Sequence, residues 1–300
     1  MIPKIVGVVG AGQMGSGIAQ VLAEAGLGVL LYDSVPRQVE KGLDAIRLRL
    51  EKKVTKGDLT EARMQDAVHR VVGVKTLKEL HDAEFVIEAV VEDALEKKKL
   101  FEWLAEVVDP SAILASNTSS IPITELAAVT RHPENVIGFH FMNPPFLMPG
   151  IEIVRGLLTS DATFDAAREL AEHLGKQAVV SKDRAGFVVN RIVMPMINEA
   201  VLLVGEGTAS IEDIDRGGVA CLNHPMGPLA LSDTIGNDTT HHILSVMQRE
   251  HGDRFRPAPL LTRMVEAGMF GRKTSAGFYE WQGNTIQRVN PGVLEFRNAG

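Results

Sequence analysis

Residues 4–33 read KIVGVVGAGQMGSGIAQVLAEAGLGVLLYD, and the reading of that stretch decides the fold. A short β-branched run ends at Val9, glycines stand at 10, 12 and 15, a helical apolar pattern follows, and a second apolar run ends in Asp33. The G-x-G-x-x-G spacing alone is weak, because glycines are frequent. Its place between a strand and a helix is what dinucleotide binding requires. Gly10 permits the tight turn, Gly12 removes a side chain where a pyrophosphate approaches the backbone, and Gly15 lets the helix pack on the strand. Gln13 and Met14 complete the loop at the helix start, where free N–H groups face the phosphates. Asp33, 18 residues beyond Gly15, can accept bonds from ribose hydroxyls and repel a 2′-phosphate, which favours NAD over NADP; Arg37 nearby is the residue type that could take such a phosphate.

Working outward, β-branched runs at 4–9, 28–32, 84–90, 112–116 and 135–141 alternate with helical patterns, the mark of a parallel sheet. A helical excursion at about 37–71 separates the second and third runs, and 151–154 and 178–180 add two candidate strands around a helix at about 163–174. From about Ala185 the character changes to helices, beginning with GFVVNRIVMPMINEAVLLVGEG, in which Pro195 predicts a kink. The expected fold class is therefore an α/β Rossmann-like doubly wound sheet over residues 1–185, followed by an all-α domain over 186–282. A tail at 283–300 is expected to be peripheral.

The bulk properties bound the function. A net charge of −7 argues against nonspecific nucleic-acid binding, and no apolar run approaches the roughly 20 residues a membrane span needs. One cysteine, Cys221, can build neither an internal disulfide nor a thiolate metal site, and no secretory signal opens the chain, so a cytoplasmic setting without a metal is expected.

Among nine histidines, His140 stands apart: it closes a predicted strand, at the end where open α/β sheets bind ligands. FHFMNPPFLMPGIEIV, residues 139–154, also carries Glu152 beyond a proline-rich loop that could fold back. A carboxylate paired with the imidazole would fix its orientation for proton transfer; the plainer alternative is a strand-ending histidine and a solvated glutamate. ASNTSSIPITEL, residues 115–126, gathers Ser116, Asn117, Thr118, Ser119 and Ser120, more than one helix cap needs. Asn190 is polar amid FVVNRIV. The cations of the excursion, Lys41, Arg47, Arg49, Lys52, Lys53 and Lys56, read either as a solvated helix face or as a docking surface for a phosphorylated ligand.

Taken in order, VGVVGAGQMGSGIAQ, VIEAVVEDALEKKKLF, ASNTSS, GFHFMNP, AGFVVNRIVMPMINEA, EDIDRGG, NHPMGPLALSDTIGND and MFGRKTSAGFYEW resemble the L-3-hydroxyacyl-CoA dehydrogenase family, nearest to its short bacterial 3-hydroxybutyryl-CoA dehydrogenases. The resemblance spans about residues 3–281 and implies a Rossmann-like domain and a helical domain that forms a homodimer or higher homo-oligomer. It implies NAD-dependent oxidation of a short L-3-hydroxyacyl-CoA to the 3-ketoacyl-CoA, and the reverse, with His140 as base and Glu152 as its partner. Ser119 and Asn190 fall at substrate-contacting positions, and Lys53 at a CoA contact. Cofactor positions fall on Gly10, Gly12, Gly15, Asp33, Glu92, Lys97, Ser119, Asn143 and Lys273. The chain departs from the family pattern H-F-F-N-P-x-P-x-M-K-L-V-E in HFMNPPFLMPGIE, where Pro149–Gly150 replaces Lys–Leu, and in Ile46, where a small polar CoA contact is usual. The NPP form resembles dehydrogenases of free hydroxy acids such as gulonate or carnitine, which stands as the alternative activity.

Overall fold

A computed structural model describes residues 2–293. The chain divides into two compact units between Phe187 and Val188.

The first unit contains β1 (Ile5–Val9), α1 (Gln13–Glu24), β2 (Gly28–Tyr32), α2 (Pro36–Thr55), α3 (Glu61–Arg70), β3 (Val71–Gly73), β4 (Phe85–Glu88) and α4 (Ala94–Val107). It continues through β5 (Ile113–Ser116), α5 (Ile123–Ala127), β6 (Val136–Phe141), β7 (Gly150–Arg155), α6 (Asp161–His173) and β8 (Gln177–Lys182). The strands form one sheet in the order β3-β2-β1-β4-β5-β6-β7-β8. The strand order reverses between β1 and β4, which is the switch point of a doubly wound sheet. The first six strands run parallel, and β7 joins β6 antiparallel before β8 pairs parallel to β7. The excursion ends in a third strand that the sequence reading did not anticipate: Val71–Gly73 is too short to show a period, and pairs along Val29–Leu31.

Alternation along the pleat sorts side chains into two cores. Phe85, Ile87, Ala115, Phe139, Phe141, Ile151 and Ile153 join the core around α1 and α6, whereas Val86, Leu114, Val136 and Val154 join the one around α4 and α5. By the same alternation Glu88, Ser116, His140 and Glu152 face the α4–α5 side. All four polar groups stand at or near the site-bearing ends of their strands.

The second unit is helical, with α7 (Val189–Gly205), α8 (Ile211–Arg216), α9 (Pro228–Ile235), α10 (Asn237–His251) and α11 (Pro259–Glu266) around Ile197, Val201, Val204, Leu229, Leu244, Met247 and Leu261. Pro195 lies inside α7 without ending it. Over its described part, the expected peripheral tail includes a strand of mostly exposed residues. β9 (Tyr279–Gln282) and β10 (Thr285–Val289) form an antiparallel hairpin across Gly283–Asn284, and Val293 is buried in the second core. Residues 294–300 of that tail lie outside the described residues. No described helix is long and apolar enough to cross a membrane.

Candidate active site

The glycine loop follows β1 directly. Gly10 has φ +101°, and a methyl group there would lie 2.5 Å from the Ala89 carbonyl oxygen; one at Gly15 would lie 1.7 Å from the Gly10 carbonyl oxygen. Neither position accepts a side chain. At Gly12, by contrast, an added methyl would meet nothing within 4 Å, and no side chain caps α1. The turn therefore presents open space and unsatisfied helix N–H groups, which fits the pyrophosphate of a dinucleotide. Met14 turns its side chain onto the first core, leaving its backbone for a ligand. Asp33 closes β2 and shapes this turn: Oδ2 accepts from Ala11 N at 2.8 Å and Oδ1 from Val35 N at 2.9 Å. Each carboxylate oxygen keeps a second lone pair for a ribose hydroxyl.

Across the switch point, three loops are joined by buried polar groups. Glu88 ends β4 fully buried. Its Oε1 accepts from the Lys97 ammonium and from Val90 N, both at 2.7 Å, and its Oε2 accepts from the Ser116 hydroxyl at 2.6 Å. Lys97, 1% exposed on α4, also pairs with Glu92 Oε2 at 3.0 Å. Glu92 Oε1 accepts from the hydroxyls of Thr118 (2.6 Å) and Ser120 (2.8 Å) and from Ser119 N (3.1 Å). Asn117 binds both ways, donating its N–H to the Glu88 carbonyl and accepting from Phe141 N, each at 2.8 Å. The serine-rich loop is thus held to β4 on one side and to the residue after His140 on the other.

Burial alone would lower the Lys97 pKa, but the two carboxylates outweigh it and hold it above its ordinary value. Burial likewise pushes the Glu92 carboxyl up, and the Lys97 charge with the Thr118 and Ser120 hydroxyls more than reverses this, leaving it lowered. A carboxyl lowered by folding stabilises the fold above its unfolded pKa and loses that contribution as pH falls through the folded value. The melting temperature is therefore expected to fall on acidification from pH 6 towards 3.5, less steeply in Glu92→Gln. An equally steep fall in the variant would assign the loss to other carboxylates.

His140 and Glu152 are direct cross-strand partners in the antiparallel β6–β7 pair, on one face, and Nδ1 lies 2.8 Å from Glu152 Oε2. The Glu152 side chain is 1% exposed and the imidazole 12%, so the ring bridges a buried carboxylate and the crevice. The Phe187 ring stands edge-on at 6.0 Å between centroids. The bond occupies Nδ1 and leaves Nε2 as the atom that can exchange a proton with a ligand. Asn143, beyond β6, accepts from the Gln13 amide at 3.1 Å, which links the glycine loop to the His140 strand.

The other expected residues lie apart from this cluster or in the second unit. Lys53, on α2, pairs with Glu24 of α1 at 2.5 Å, and Arg49 turns inward to the Gln20 side chain and Ser16. Lys41, Arg47, Lys52 and Lys56 remain exposed. Ile46 is 1% exposed in the first core, which removes its side chain from ligand contact. In the second unit Asn190 is buried in the first turn of α7, and Lys273 pairs with Asp238. Glu88 escaped the sequence reading, although a carboxylate closing the apolar run FVIE was a usable signal, since a buried charge needs a partner.

The NAD-binding domain of 3-hydroxyacyl-CoA dehydrogenase matches residues 5–184, and the C-terminal domain of 3-hydroxyacyl-CoA dehydrogenase matches residues 186–281. The chain is 48% identical over 281 residues to a 3-hydroxybutyryl-CoA dehydrogenase of Bradyrhizobium diazoefficiens, covering 93% of this chain and 96% of that protein. Among solved structures, FadB2 of M. tuberculosis superposes with a TM-score of 0.92 at 45% identity, covering 94% of this chain and all of the other. The (S)-3-hydroxybutyryl-CoA dehydrogenase PaaH1 from Ralstonia eutropha superposes with a TM-score of 0.91 at 45% identity, covering 93% of this chain and 99% of the other.

Proposed function

The chain belongs to the 3-hydroxyacyl-CoA dehydrogenase family, an NAD-dependent oxidoreductase by that membership, and from that premise we propose that it interconverts a short L-3-hydroxyacyl-CoA, 3-hydroxybutyryl-CoA first, and the 3-ketoacyl-CoA. The observation that carries the mechanism is the 2.8 Å bond between His140 Nδ1 and the buried Glu152. NAD, when bound, supplies the hydride acceptor for C3 of the substrate. His140 Nε2 takes the 3-hydroxyl proton, and in reverse returns it to the keto oxygen. Glu152 keeps the ring in one orientation and stabilises its charged form as the proton arrives. Ser119, held through its backbone by Glu92, orients a substrate oxygen. Gly10, Gly12, Gly15, Gln13 and Asp33 seat the dinucleotide, with Glu92, Lys97 and Asn143 completing its site in the first unit. Lys53 is the CoA contact in this reading, which also carries a homodimer or higher homo-oligomer and a cytoplasmic setting.

A free hydroxy acid is the second reading, favoured by two observations: Lys53 is already paired with Glu24, and Ile46 is buried. NADH oxidation measured with acetoacetyl-CoA against free acetoacetate separates the two. Turnover with the CoA ester is expected to exceed that with the free acid, and activity on the free acid alone would overturn the CoA reading.

A further inference from the structure

Glu88 has no task in the proton transfer or in the glycine loop, yet it is a fully buried carboxylate at the sheet's carboxyl edge. Its two oxygens receive three donors, and the Ser116 hydroxyl is free to donate because its own oxygen accepts from Thr118 N at 3.1 Å. Glu92 is set up in the same way: Thr118 Oγ1 accepts from Ile121 N at 2.9 Å, which sends its proton to the carboxylate. In all these bonds both side chains act as acceptors. Among the described residues Lys97 is the one cation within ion-pair distance of either. Two carboxylates and one ammonium leave a single uncompensated negative charge.

The sheet order says where that charge lies. A dinucleotide crosses the switch point between β1 and β4, and Asp33 at the end of β2 takes the adenosine ribose. The nicotinamide half then falls on the other side, over the ends of β4, β5 and β6. Glu88, the 117–120 loop and His140 all belong to those ends. The nicotinamide ring is cationic when oxidised and neutral when reduced, so a fixed negative charge beside it discriminates between the two forms.

We propose that Glu88 is a positioning residue that, with Glu92 and Lys97, holds one net negative charge at the nicotinamide end of the site and so favours binding of NAD+ relative to NADH. Glu88 acts through its neighbours: it anchors Lys97 and Ser116, and through them Glu92 and the backbone of Ser119. The inference rests on the dinucleotide reading of the crevice.

The test is the ratio of dissociation constants for NAD+ and NADH, by direct calorimetric and fluorescence titration without substrate. Glu88→Gln keeps the shape and removes the charge. Its affinity for NAD+ is expected to fall relative to NADH by about 3- to 10-fold, the scale of one charge acting through a partly screened site. Glu92→Gln removes the same charge from a partly exposed side chain, so it serves where Glu88→Gln does not fold. Ribose and phosphates are identical in the two cofactor forms, so lost contacts to them cancel in the ratio. Ser116→Ala, which breaks a bond to Glu88 without changing charge, is expected to leave the ratio within about twofold of wild type. A ratio unchanged in whichever glutamine variants fold overturns the proposal. A wild-type protein that binds neither form overturns the dinucleotide reading, and the proposal with it.

Discussion

Replacing His140 with alanine is expected to lower turnover by about 10²- to 10⁴-fold, the usual contribution of a positioned acid–base group, while NADH still binds. The separation follows from the geometry. His140 reaches the site from β6 with its side chain 12% exposed, and the groups that fit the dinucleotide come from the β1 turn, the end of β2 and the β4 and β5 loops. Losing the imidazole therefore removes the proton acceptor and leaves the cofactor cradle in place. Glu152→Gln asks a different question: it keeps a hydrogen-bond partner at Nδ1 but removes the charge that stabilises the imidazolium. A smaller loss is expected there, in kcat more than in KM, because the charge matters most as the proton transfers. Since Glu152 is buried, both variants need their melting temperatures measured beside their rates. A folded His140→Ala enzyme with near-normal turnover would remove His140 from the mechanism.

What could be read before the structure, and what could not, divides along sequence separation. The glycine turn is legible because its main demands are local: Gly10 has φ +101° and a methyl group at Gly15 would strike the Gly10 carbonyl, while the Ala89 carbonyl that also crowds Gly10 comes from the distant β4 loop. His140 and Glu152 are twelve residues apart, and two ionisable groups in a proline-rich apolar segment can be suspected of pairing. Their register as direct partners in an antiparallel pair cannot, because alternation within each strand does not say which residue stands opposite. Glu88 pairs with Ser116, 28 residues away, and Glu92 with Thr118, 26 residues away, so spacing does not show which members of the two motifs meet. The basic helix is a different case. All its cations look alike in sequence, but helix packing turns Arg49 and Lys53 onto α1 and leaves the others in solvent. The hairpin after Tyr279 was legible, since YEWQ and TIQRV flank a Gly–Asn pair, a known hairpin signal.

In the second unit the largest stability effect is expected at Asp233, a buried carboxylate with no cation within ion-pair distance among the described residues. It stands on α9, 1% exposed, and receives four donors at 2.9 Å: Asn237 Nδ2 and Phe278 N on Oδ1, Tyr279 N and the Trp281 indole N–H on Oδ2. Burial pushes this carboxyl above its ordinary range, and the four donors pull against that. Through them one side chain fastens the start of the hairpin to the helices. Gly277 makes the approach possible, as a methyl group there would lie 1.9 Å from Asp233 Oδ1. Asp233→Ala strips the acceptor from four buried N–H groups, each costing about 1–3 kcal/mol if left unsatisfied. Water entering the gap recovers part of that, so a loss of at least about 3 kcal/mol is expected, or a melting temperature lower by roughly 10 °C. Asp233→Asn distinguishes bonding from packing. The amide fills the same volume but points its own N–H donors at two of the four, so it is expected to be destabilised nearly as much as alanine. An asparagine variant melting within about 2 °C of wild type would show that the site is held by packing around the hairpin rather than by the carboxylate.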